Sequence, residues 1–244
     1  MASHIENNIR VLSANCQGLR NLDKRIDVLS YFKERNANIV CLQDTHLTEK
    51  DARDIKSIWG SDVYICGDRT TSRGIAILLN NNFEYEILSQ KKDKNGNYLN
   101  LNLKLSTMTL NLVTLYGPNN ANNDSPSFFC EIKELLNSKN SDYNILCGDF
   151  NIVMDKEMDT CNYRNINNPQ ASKAVLEIVS EHELTDIYRH LNPTIRRFTW
   201  RRKNPVKQAR LDLFLASTSL LDITKKCSIN SSYRSDHSPI ELEP

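Results

Sequence analysis

Tyr143-Asn144-Ile145-Leu146-Cys147-Gly148-Asp149-Phe150-Asn151 is the stretch that decides how this chain is read. An apolar run of strand length ends at Gly-Asp-x-Asn, so a rigid element carries a carboxylate and an amide, two positions apart, to its end. Glycine lets a backbone or a ligand approach closely. Asp can act as base or metal ligand, while Asn offers both a donor and an acceptor. The combination suits phosphate chemistry. Asp and Asn are also ordinary strand-terminating turn residues, so the stretch gains meaning only in company.

That company is spread along the chain. Asn15 follows Val11-Leu12-Ser13-Ala14, and Asp44 follows Ile39-Val40-Cys41-Leu42-Gln43. Asp212 lies inside Arg210-Leu211-Asp212-Leu213-Phe214-Leu215, and Asp236-His237 precedes Ser238-Pro239-Ile240. A carboxylate within a buried strand is costly unless partnered. Asp212 therefore calls for a cation or a histidine, and His237 directly follows the acid of another such motif. An Asp–His pair orients the imidazole and raises its pKa, so that it can present a proton to a phosphate oxygen. The other carboxylates and amides could hold a hard cation. Mg²⁺ fits, since it takes one or two carboxylates and completes its shell with water and phosphate.

The bulk properties bound these readings. The 244 residues read as a single domain spanning 1–244, excised from a longer polyprotein, with 39% hydrophobic residues gathered in clean segments. A net charge of +1 hides a segment between Ile187 and Leu211 that has no acid. It carries Arg189, Arg196, Arg197, Arg201, Arg202, Lys203, Lys207 and Arg210, a local field able to hold a polyanion. Seven scattered cysteines without Cys-x-x-Cys read as reduced core residues, neither zinc ligands nor a disulfide framework. No apolar run approaches membrane-spanning length and no signal peptide is visible, so an intracellular protein without membrane association is expected.

Strand-like and helix-like segments alternate throughout. Helices are expected at 23–35 (with Ile26, Leu29 and Phe32 on one face), 48–59, 125–137 and 171–183. Leu99, Leu101, Leu103 and Leu105 alternate within the clearest strand, 98–105. Residues 152–167 read as a polar surface loop, and 197–202 and 210–216 as paired strands. This mixture predicts an α/β fold, two packed sheets with helices outside.

Together, Asn15, Leu42-Gln43-Asp44-Thr45-His46, Tyr116-Gly117-Pro118-Asn119, Gly148-Asp149-Phe150-Asn151 and Ser235-Asp236-His237 resemble the exonuclease–endonuclease–phosphatase superfamily. Asp186-Ile187-Tyr188-Arg189, Phe198-Thr199-Trp200 and Arg210-Leu211-Asp212 resemble more narrowly the apurinic/apyrimidinic-endonuclease-like domain of non-LTR (LINE) retrotransposon proteins. The resemblance implies a DNase I-like four-layer α/β sandwich of two mixed β-sheets flanked by helices. It implies a Mg²⁺-dependent DNA endonuclease, with Mn²⁺ as a second cation, that nicks one strand of a duplex. The 3′-hydroxyl left behind would prime a reverse transcriptase domain of the same polyprotein, in the nucleus. By resemblance Asp149, Asn151, His237, Asp212 and Tyr116 are catalytic, and Asp44, Asn15 and Asp236 surround the metal. Asn119, Thr199, Arg201, Arg202, Lys203, Lys207 and Arg73 are expected at DNA, and His46 as an exposed turn residue.

One position departs from the pattern. Asp44 stands where the family has Glu, shortening the side chain by about 1.5 Å. A Mg²⁺–oxygen contact of about 2.1 Å tolerates little error, so a shifted backbone, a bridging water or a larger cation is implied. The rival readings are an abasic-site repair endonuclease, a small-molecule phosphatase, which the basic segment opposes, and a catalytically silent DNA-binding module.

Overall fold

Strands that are apolar at nearly every position must be covered on both faces, and that requirement sets the architecture. The computed structural model describes residues 9–119, 125–137, 141–163 and 169–244. In chain order the first half forms β1 (Val11–Asn15), α1 (Leu22–Glu34), β2 (Ile39–Gln43), α2 (Ala52–Trp59), β3 (Val63–Cys66) and β4 (Ile75–Leu79). There follow β5 (Tyr85–Lys92), β6 (Tyr98–Leu105), β7 (Thr109–Tyr116), α3 (Ser125–Leu136) and β8 (Tyr143–Asp149). Next come α4 (Lys156–Asp159), β9 (Thr160–Cys161), α5 (Pro169–Glu181), β10 (Leu184–Asp186) and α6 (Ile187–Leu191). The last strands are β11 (Trp200–Arg202), β12 (Lys207–Ala209), β13 (Asp212–Ser217), β14 (Lys226–Ile229) and β15 (Ile240–Glu243).

Two six-stranded sheets run β14-β15-β1-β2-β4-β3 and β10-β13-β8-β7-β6-β5, and a small third sheet runs β11-β12-β9. Alternate residues sort into three apolar layers. Val11, Ile39, Cys41 and Ile77 meet Leu99, Leu101, Leu103, Ile145 and Phe214 between the large sheets. Leu12, Val40 and Leu78 face the opposite way, onto Leu29 and Phe32 of α1 and Ile55 and Trp59 of α2. Val113, Leu146 and Leu215 pack on Phe129 and Ile132 of α3 and Val175 and Ile178 of α5. The result is the expected four-layer α/β sandwich. Each fully buried leucine contributes roughly 1.5–3 kcal/mol, so β6 alone anchors the sheet interface strongly.

Several local expectations are corrected. The buried face of α1 is Arg25, Val28, Leu29 and Phe32, a spacing of three, four and seven, whereas Ile26 is exposed. The segment after Thr48 begins as one 3₁₀ turn, Glu49–Asp51, before α2. The basic hairpin is tighter than expected: β11 pairs with β12, while β13 pairs with β8 and β10 in a large sheet. Its connection is therefore residues 203–206. Residues 152–163 are no featureless loop, since they contain α4 and β9, and β9 is the third strand beside the hairpin. Residues 164–168 lie outside the described residues.

Candidate active site

Sheet register assembles the site. β1 and β2 are parallel, so Asn15 and Asp44 emerge at one edge. β7 and β8 are also parallel and place Tyr116 opposite Asp149, while antiparallel β13 places Asp212 opposite Asp149 from the other side. Asp149 thus sits in register between Tyr116 and Asp212. Gly148 permits this crowding: at φ +134° an added Cβ would stand 2.0 Å from the Leu115 carbonyl oxygen. Gly117 is equally constrained, since a Cβ there would meet the Phe150 oxygen at 2.3 Å.

A cavity of about 260 Å³ collects Asn15, Asp44, Tyr116, Asn119, Asp149, Asn151, Asp236 and His237, together with Gln17, Tyr163, Trp200 and Leu211. Asp149 is 1% exposed. Its Oδ2 accepts from Asn15 Nδ2 at 2.9 Å, and its Oδ1 accepts from the Asn151 backbone N–H at 3.0 Å. Asn151, held at φ +53°, donates its side-chain Nδ2 to the Gly117 carbonyl at 2.9 Å. Burial and then the neighbouring Asp212 charge raise the Asp149 pKa to about 7, against the lowering effect of His237 and the two hydrogen bonds.

The expected Asp–His dyad is present. His237 Nδ1 lies 2.8 Å from Asp212 Oδ2, and its Nε2 lies 3.8 Å from Asp149 Oδ2 and 4.0 Å from Asp236 Oδ1. Burial alone would lower the imidazole pKa, but the charges of Asp212, Asp149 and Asp236 outweigh it and raise it to about 10. His237 is therefore an imidazolium at neutral pH, with donors only. Tyr116 Oη accepts from Asn119 Nδ2 at 3.1 Å. Burial, with the charges of Asp44 and Asp149, pushes the Tyr116 phenol well above its ordinary value, so its proton stays on.

Asp44 ends the opposite wall in the left-handed region, at φ +50°. Its Oδ1 accepts from the Arg73 backbone N–H at 2.9 Å and lies 3.1 Å from His46 Nε2. His46 is thus a half-buried partner of Asp44, not the exposed turn residue expected. The Arg73 side chain lines an adjoining trough of about 430 Å³, which shares Tyr116 and Asn119 with the central cavity.

The donor set fits a hard divalent cation. Asp149 and Asp212 bring carboxylate oxygens within 4.8 Å of one another and of the His237 ring, whose imidazolium serves as a donor beside them and not as a ligand. Asp212 Oδ1 and Asp236 Oδ1 are buried without a hydrogen-bond partner, an arrangement that a cation would relieve.

The basic segment divides sharply. Arg210 and Arg189 are spent inside the fold: Arg210 Nε and Nη2 donate to Asp159 at 2.8 Å, and Arg189 Nη2 donates to Asp159 Oδ1 at 2.6 Å. Arg201 turns inward, Nη1 donating to Ser238 Oγ at 2.6 Å, and burial followed by the Arg197 charge lowers its pKa. Arg196 Nη2 donates to the Thr160 carbonyl. Arg197, Arg202 and Lys203 are exposed and Lys207 half-buried, so they carry the outward field. Thr199 is fully buried, and its hydroxyl accepts from the Leu211 and Asp212 backbone N–H groups at 2.9 and 3.1 Å. That use leaves Thr199 beneath the hairpin, not on its DNA-facing side as expected. Tyr163 and Asp159 were not anticipated as site or anchoring residues, because their partners lie far away in sequence, and Trp200, expected to pack under the hairpin or stack on DNA, was not expected to bond Asp236.

Fold and cluster together define a hydrolase of the nuclease and phosphatase class. The chain belongs to the Endonuclease/Exonuclease/phosphatase family, whose pattern matches residues 12–237. It is 27% identical over 96% of its length to the transposon TX1 uncharacterized 149 kDa protein of Xenopus laevis, but spans only 18% of that protein. It is 26% identical to an exodeoxyribonuclease of Bacillus subtilis, covering 96% of this chain and 98% of that one. Among solved structures, an AP endonuclease from Archaeoglobus fulgidus superposes with TM-score 0.76 at 17% identity, covering 96% and 98% of the two chains. An AP endonuclease from Leishmania major gives TM-score 0.78 at 19% identity, covering 97% and 87%. A 3′ phosphatase from Neisseria bound to product DNA hairpin gives 0.75 at 18%, covering 96% and 98%. The superfamily resemblance read from the sequence is thus found, with a transposon protein among the similar chains and AP endonucleases among the similar folds.

Proposed function

We propose that the chain is a metal-dependent DNA endonuclease domain that nicks one strand of a target duplex. The observation that carries this is the convergence, in one cavity beside a basic hairpin, of Asn15, Asp44, Tyr116, Asp149, Asn151, Asp236 and His237. Asp149, with both oxygens held by Asn15 and Asn151, accepts a proton from the attacking water. His237, oriented by Asp212, donates toward a non-bridging phosphate oxygen, and the Tyr116 hydroxyl donates beside it. Water attacks phosphorus in line, the P–O3′ bond breaks to leave a 5′-phosphate, and the departing oxygen takes a proton from solvent water to become a 3′-hydroxyl. Mg²⁺ or Mn²⁺, held by Asp44, Asp236 and Asn15, would stabilise the developing phosphate charge.

Asn119, Arg73, Arg202, Lys203 and Lys207 hold the DNA backbone on the two sides of the cavity. The similarity to a transposon protein supports a role in target-primed reverse transcription, with a reverse transcriptase elsewhere in the same polyprotein. On this reading the chain acts in the nucleus. Incubation with supercoiled plasmid and Mg²⁺ or Mn²⁺ tests the reading. Open-circular product extendable by a polymerase supports it. No nicking with either cation, but nicking by Asp44→Glu, would mean that the shorter carboxylate has silenced the site. A strong preference for abasic over intact duplex would favour the repair reading instead.

A further inference from the structure

The strand that roots the basic hairpin also fastens the segment carrying Asp236 and His237. Trp200 Nε1 donates to Asp236 Oδ2 at 3.0 Å, and the Arg201 backbone N–H donates to the Asp236 carbonyl at 3.1 Å. Trp200 forms an antiparallel bridge with His237, and the Ser238 N–H donates to the Thr199 carbonyl at 2.6 Å. Two consecutive residues of β11 therefore pin one aspartate by side chain and by backbone. The consequence is directional: with Oδ2 engaged by the indole, Oδ1 is the oxygen left buried without a hydrogen bond, within ion-pair range of His237 Nε2 at 4.0 Å. Tyr163 packs edge-on against the indole, ring centroids 5.7 Å apart.

We infer that Trp200 is a positioning residue that aims the free oxygen of Asp236 at the cation, so that the root of the DNA-facing hairpin sets cation affinity. The inference rests on the metal-dependent reading above. Indole supplies a donor and no acceptor, which makes it a one-way constraint on the carboxylate. Partners of this kind typically change metal affinity or activity about 10–100-fold when removed.

The test is Mn²⁺ binding to DNA-free protein, followed by electron paramagnetic resonance, for wild type, Trp200→Phe, Asp236→Asn and the double variant. Trp200→Phe keeps a ring against Tyr163 and removes the N–H. Its expected effect is a loss of Mn²⁺ affinity of about tenfold or more at an unchanged thermal midpoint. That loss should vanish in the Asp236→Asn background, because the indole would act through this carboxylate alone. A folded Trp200→Phe protein that binds Mn²⁺ like wild type overturns the inference, and so does an undiminished effect in the Asp236→Asn background. Wild type that binds no Mn²⁺ overturns the metal reading itself. Should Trp200→Phe not fold, 3-benzothienylalanine at position 200, which exchanges only the N–H for sulfur, makes the same comparison.

Discussion

Two buried ionic clusters lie close together in sequence and are built on opposite rules. Around Asp159 the charges are saturated: the carboxylate, fully buried, accepts from Arg210, Arg189 and the Asp155 backbone N–H. Arg210, 1% exposed, also reaches Asp186 with two hydrogen bonds. Burial pushes the Asp159 pKa up, yet the two arginines outweigh it and hold the carboxyl below the ordinary range. Around Asp149 the balance is reversed. Asp149 and Asp212 face one another across adjacent strands with one imidazolium between them, and Asp212 Oδ1 has no partner. In the first cluster both oxygens of the buried acid are taken up by donors, whereas in the second an acid oxygen is left for a cation and a substrate. A buried acid whose pKa is pushed down by its neighbours marks structure here, and one pushed up marks chemistry.

The sharpest way to break this distinction is to neutralise each acid in turn. Asp149→Asn should lower nicking by about 10²–10⁴-fold, the range for a general base, while leaving the thermal midpoint unchanged or raised. Removing one of two crowded like charges relieves the burial and repulsion that outweigh its attraction to His237 and its hydrogen bonds. Asp159→Asn should do the reverse: two buried arginines lose their counter-charge, at a cost of about 3–5 kcal/mol of stability. Urea unfolding and plasmid nicking on both variants decide it. A large stability loss in Asp149→Asn would mean that the active cluster is a structural ion pair after all. Between these in subtlety is Asp212→Asn. It should drop the His237 pKa from about 10 toward the ordinary value of 6.5, followed by imidazole NMR.

The same contrast explains what could be read from the chain alone. The leucine alternation of β6 and the run ending at Asp149 are local patterns, and both were legible to within a residue or two. Asp212 was legible because a lone acid in an apolar strand demands a partner, and His237 answered. Asp159 was not, since it sits in a polar stretch and reaches Arg210 across 51 residues. Trp200 and Asp236, 36 apart, present the same difficulty. Arginine composition predicted a polyanion-binding field but could not separate Arg210, locked on Asp159, from Arg202, which faces solvent. The hairpin pairing was misplaced because Thr199 uses its hydroxyl, not a ladder, to join the backbone of Leu211 and Asp212.

The smallest expected effect is the most direct comparison of the two acids, because it reads both in the same folded protein. Asp149 has a folded pKa of about 7 against an ordinary 3.8, so the native state binds more protons between those values. Its contribution to stability is fully present below pH 3.8 and is lost as the pH rises through about 7. The resulting slope in the unfolding free energy is at most about 1.4 kcal/mol per pH unit. Asp159, with a lowered folded pKa, contributes stability that is present above pH 3.8 and lost only as the pH falls below it. His237 does not confuse the window: its raised pKa makes its contribution fully present below pH 6.5 and lost only on rising through about 10. Denaturant unfolding from pH 4 to 6 in a chelator should therefore give a falling limb that Asp149→Asn removes and Asp159→Asn retains. If that limb survives in Asp149→Asn, the raised pKa belongs to another group, and the asymmetry between the clusters loses its electrostatic basis.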